Sequence, residues 1–75
     1  MNKSEEIAQS IAHKYRAFLD NCPSPHVEIK EAFEFLADRA KNRSEAYDLK
    51  ILAAHIFNFE TDEDLRRRAE KVLWR

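Results

Sequence analysis

The fold is decided by Glu45-Ala46-Tyr47-Asp48-Leu49-Lys50-Ile51-Leu52-Ala53-Ala54-His55-Ile56-Phe57-Asn58. At about 100° per residue its apolar side chains cover most of a helix circumference, leaving a narrow strip of Asp48, His55 and Asn58, with Lys50 set apart. A helix apolar over so much of its surface belongs inside a bundle or between subunits. It is expected to be the most buried element.

Upstream, Lys41-Asn42-Arg43-Ser44 is a compact break, with Asn42 suited to a left-handed position and Ser44 to capping the helix that follows. Before it, Ile29, Ala32, Phe33, Leu36, Ala37 and Ala40 form one face of a helix over residues 25–41, with Phe35 at the edge of the stripe and Val27 outside it. That helix opens on Ser24 as a cap and Pro25 in its first turn. Cys22-Pro23-Ser24-Pro25 cannot continue a helix, because proline lacks the backbone donor and disfavours α geometry in the residue before it.

The first helix is predicted over residues 4–20, from Ile7, Ala8, Ile11, Ala12, Tyr15, Phe18 and Leu19 at i, i+3, i+4 spacing. Gln9, His13, Arg16 and Asp20 occupy its polar side. Ser4 is placed to cap its start, Glu5 and Glu6 face the positive end of its dipole, and Asn21 can take the left-handed position at its far end.

Downstream, Thr61 stands as an N-cap before Asp62, Glu63 and Asp64, and Leu65, Ala69, Val72 and Leu73 define one face of a last helix over residues 62–74. Asp62 with Arg66, Glu63 with Arg67 and Asp64 with Arg68 are acid-before-base pairs at i, i+4. There is no internal repeat, low-complexity segment or strand-like alternation. Residues 1–75 therefore read as one all-α, small four-helix bundle-like domain, its short connections making neighbours antiparallel.

The chain of 75 residues holds 13 Lys+Arg against 14 Asp+Glu and no glycine. At an ordinary usage of about 7%, roughly five glycines are expected. Their absence excludes phosphate-cradling loops, the dinucleotide-binding fingerprint, the nucleophile elbow and the EF-hand loop, all of which need glycine where a side chain would clash. A net charge of −1 favours neither polyanions nor acidic lipids. The lone Cys22 cannot form an intramolecular bridge, and no segment reads as a signal peptide or as long enough to cross a bilayer. The protein is read as cytoplasmic, with no membrane partner.

Two constellations bear on chemistry. Cys22 and His26, with His13 or His55, approach a metal-ligand spacing, but the second close pair of a structural zinc site is missing, so no metal or other cofactor is implied. Asp48 lies two turns before His55, about 10 Å along the axis, too far to orient it as a general base. Ser24 and Ser44 are better explained as caps than as nucleophiles. A half-buried His55 bonded to a polar neighbour is the simpler expectation, and an enzyme ranks third among the readings.

Arg67, Arg68, Lys71 and Arg75 offer a nucleic-acid contact, but a reading helix meets base edges at its N-terminal end, which here carries three carboxylates. A DNA-binding regulator is therefore the alternative. The leading reading rests on aromatic residues left over after the helix faces are filled. Phe35, Phe57, Phe59 and Trp74 are the candidate contacts of a non-catalytic protein-interaction module, a small regulator or adaptor expected to form a homodimer. No family motif is present; size and helical pattern are of a kind common among small bacterial and phage-encoded regulators.

Overall fold

The computed structural model describes residues 3–20 and 23–74. Four α-helices, α1 (Lys3–His13), α2 (Pro25–Arg39), α3 (Arg43–Phe59) and α4 (Glu63–Leu73), are joined by loops and one 3₁₀ turn, Arg16–Phe18. Among the described residues there is no strand.

The core is built where the apolar periodicities converge. Phe33, Ile29 and Leu36 of α2 meet Leu52 and Ile56 of α3, all fully buried, and Leu65 and Val72 of α4 close one side. Ala8, Ala12, Ala32, Ala53 and Ala69 have no exposed surface. With only a methyl at these positions, the helices come close together without leaving voids. As expected, α3 is the hub, packing against each of the other three helices. Its far side is less covered than its composition suggests, since Tyr47 remains 65% exposed.

No described residue has a positive φ, so helices here do not end on left-handed caps. α2 and α3 end on residues that step into extended conformation, Ala40 (ψ 119) and Glu60 (ψ 142), whose N–H groups still bond back to Leu36 and Ile56. Asn42, expected to be left-handed, is itself extended and is the N-cap of α3. Its side-chain oxygen accepts from Glu45 N at 2.9 Å, while the Glu45 carboxylate accepts from Lys41 N at 3.1 Å. Ser44, expected as that cap, lies inside the helix. Similarly Asp62, not Thr61, caps α4, accepting from Asp64 N and Leu65 N. Asn and Asp are among the most favourable N-caps, and each here satisfies orphan donors of its own first turn. Ser24 caps α2 as expected, accepting from Val27 N.

The largest departure concerns α1, which ends at His13 instead of running to residue 20. Lys14 N and Tyr15 N bond to Ile11 O and Ala12 O, tightening the last turn. Two long-range ties fix where the helices start. Ser4, at the start of α1, and His26, at the start of α2, both meet the end of α3, at His55 and Glu60. α1 and α2 therefore both begin near the last turns of α3. The end of α1 lies against the first turn of α2, where His13 Nδ1 is 3.0 Å from Glu28 Oε1. Asn21 lies outside the described residues.

Candidate functional surface

Two carboxylates, Asp48 and Glu28, are buried and held by residues from another segment, and a third, Glu60, is partly buried. Asp48, 3% exposed, accepts from the Tyr15 hydroxyl at 2.5 Å and from Lys14 Nζ at 3.3 and 3.4 Å. Glu28, 6% exposed, takes Gln9 Nε2 at 2.5 Å and His13 Nδ1 at 3.0 Å, one on each oxygen. Arg16 Nη1 lies 3.4 Å from the other nitrogen of His13. An Nδ1–H tautomer of His13 would donate to Glu28 and accept from Arg16. The third is Glu60, whose Oε1 accepts from Thr61 N and Asp62 N while Oε2 lies 3.1 Å from His26 Nε2, outside hydrogen-bond geometry. Burial pushes the Glu60 carboxyl up, but the two backbone N–H groups, with His26 and Lys30, outweigh it and hold it below its usual value. These sites bind the helices to one another.

The three histidines are dispersed among different partners. Among the described residues no group of His, Cys, Asp and Glu could hold a metal ion, and Cys22 lies outside them. His55, 8% exposed, has its Nδ1 3.0 Å from the Ser4 hydroxyl and its ring beneath Phe59, with centroids 5.0 Å apart. Burial lowers its pKa, against the opposing influence of Glu5. The polar neighbour expected for His55 is thus supplied by α1, fifty-one residues away, a partner that no local spacing could reveal.

The four candidate aromatics fall into different surroundings. Phe35 is half-buried, with Phe18 stacked on it at 5.4 Å and 14°, and the Arg39 guanidinium over the ring at 4.9 Å. Phe18, 68% exposed, was expected on the buried face of the first helix; the end of α1 at His13 turns it outward. Around this pair stand Glu31, Glu34 and Asp38. Phe57 is half-buried beneath Arg66, whose Nε donates to Phe57 O at 3.2 Å. Phe59 is 50% exposed beside His55. Trp74 is 76% exposed and lines a hollow with Arg67, Glu70 and Lys71. Phe57 borders the adjoining hollow and shares Arg67 and Glu70 with it. The structure thus brings Phe57 and Trp74 onto neighbouring parts of one surface; Phe35 and Phe59 lie apart.

The basic residues are not held by the local acids expected for them. Asp62 spends its carboxylate on the cap, Arg66 turns to Phe57, and Arg68 reaches Glu34 of α2 at 3.6 Å. Arg67 and Lys71 flank Trp74, and Arg75 lies outside the described residues. No described helix is long and apolar enough to cross a membrane. Compared with protein-family models, curated proteins and solved structures, the chain matches none.

Proposed function

We propose that this protein is a non-catalytic protein-interaction module, a small regulator or adaptor that works as a homodimer. The observation that carries the reading is Trp74, 76% exposed at the end of α4 and bordered by Arg67 and Lys71. Tryptophan and arginine are the residue types most enriched where protein partners meet. An indole left in water forgoes most of the stabilisation its burial would supply.

Two further features support the reading. Ile7, Phe18, Tyr47 and Phe59 are also large and exposed, a generous apolar surface for so short a chain. A domain of this size also gains stability from a second subunit. Sedimentation velocity at micromolar concentration tests the proposal. A dimer mass that Trp74→Ala shifts toward monomer supports it; a monomer mass across the range overturns the homodimer.

A further inference from the structure

The first turn of α1 meets the end of α3 at a buried histidine. His55, 8% exposed, has Nδ1 3.0 Å from the Ser4 hydroxyl and its ring against Phe59. None of residues 3–7 is buried, and the first fully buried side chain of α1 is Ala8. Among the described residues the largest fully buried side chains, from Phe33 to Ile56, all belong to α2 and α3. A helix start anchored so lightly opens at far lower cost than the core behind it.

The charge on His55 sets the strength of this anchor. A serine hydroxyl both donates and accepts, so the hydrogen bond itself tolerates either form of the ring. Burial does not, because an imidazolium at this depth forfeits its hydration. The surrounding groups compensate little. From α2, His26 and Lys30 line the same small cavity as His55, and both are basic, so acid builds like charge around the ring. Glu60, on that cavity too, is already committed: Oε1 accepts from Thr61 N and Asp62 N, and Oε2 lies 3.1 Å from His26 Nε2. Glu5, in the first turn of α1, favours the charged form but is exposed and screened by water. α4 adds no charged group to the cavity lining. Hydrating the imidazolium requires Phe59 and the first turn of α1 to move aside.

We propose that the junction of Ser4 and His55 is an acid-sensitive joint, at which the first turn of α1 releases from α3 as pH falls while α2, α3 and α4 stay packed. The lowered pKa of His55, caused first by burial, gives the same sign: the contribution of the neutral ring is present above about pH 6.5 and is lost below it. The joint is independent of the homodimer reading and operates in either oligomeric state.

NMR of the full chain at pH 7.5 and pH 5 tests it. The Cα shifts of Glu5, Glu6 and Ile7 are expected to lose about half or more of their helical offset at the lower pH, while those of α2, α3 and α4 keep theirs. In His55→Gln, whose amide can still pair with Ser4 but takes up no proton, the offsets of these three residues are expected to be the same at both pH values. In the unsubstituted protein the loss is expected to share its midpoint with the His55 ring-proton titration, a comparison that decides the matter even if the variant fails to fold. Offsets that do not change with pH, a loss spread evenly over all four helices, a loss that persists in His55→Gln, or a midpoint apart from that of His55 would each overturn the joint.

Discussion

Tyr15 and Asp48, thirty-three residues apart, are joined by a 2.5 Å hydrogen bond in which the phenol donates to a carboxylate that is 3% exposed. The contact ties the end of α1 to the start of α3, and Lys14 Nζ shares the same carboxylate. Side chains of adjacent residues diverge by about 100° on an α-helix. The tightened turn after His13 lets both of these reach one acceptor.

Removing the phenolic hydroxyl should therefore cost more than removing the ammonium. Tyr15→Phe keeps the ring against Phe35 and strips a donor from a buried charge, for an expected loss of about 1.5–3 kcal/mol in urea unfolding. Lys14→Ala, at an exposed partner, is expected to cost less than about 1 kcal/mol. Burial, with the hydrogen bond to Asp48 and its charge, holds the phenol protonated well above the usual tyrosine range. The folded state keeps that proton where the unfolded chain loses it, so stability is full below about pH 10 and falls as pH rises further. Between pH 9 and 11 the urea midpoint should drop in the unsubstituted protein and drop less in Tyr15→Phe.

Acidification should weaken the fold in two windows. The lowered pKa of His55 means that the unfolded chain takes up a proton near pH 6.5 before the folded one does, so this contribution is present above that pH and is lost below it. The lowered pKa of Glu60 acts in the same direction further down, below about pH 4.5. Urea midpoints should fall from pH 7 to pH 5 with a component that His55→Gln removes. A ring-proton titration placing His55 above pH 6.5 would contradict the first window.

The caps separate residues that look interchangeable in the sequence. Asn42→Ala and Asp62→Ala should each cost about 1 kcal/mol, because each strands helix-terminal N–H groups. Ser44→Ala and Thr61→Ala should stay within about 0.5 kcal/mol. Thermal melts of the four variants check the ranking, and a larger loss at Ser44 than at Asn42 would reverse the assignment.

Trp74 is the one tryptophan in the chain and reports on its own burial. If α4 ends in an interface, its fluorescence emission should shift to the blue as protein concentration rises from below micromolar to about 100 μM, as the indole leaves water. An emission maximum independent of concentration, alongside a proven dimer, would place Trp74 outside the interface.

Part of this protein's structure is specified within a turn or two of helix, and part by the placement of one helix against another. The sequence by itself determined the all-α class, the central place of α3, the Ser24 cap and the apolar faces that fill the core. Each of these follows from a repeat of three or four residues, or from a side chain's reach to its own backbone. Only the tertiary structure decided that α1 ends at His13, that Phe18 turns outward, that Asp48 and Glu28 are buried acceptors, and that Ser4 meets His55. It also brought Phe57 and Trp74 onto adjoining hollows and set Arg68 against Glu34. The physical reason is that a buried carboxylate must find donors wherever the chain brings them. Here those donors lie on other segments, and their pairing exists only after the helices have packed.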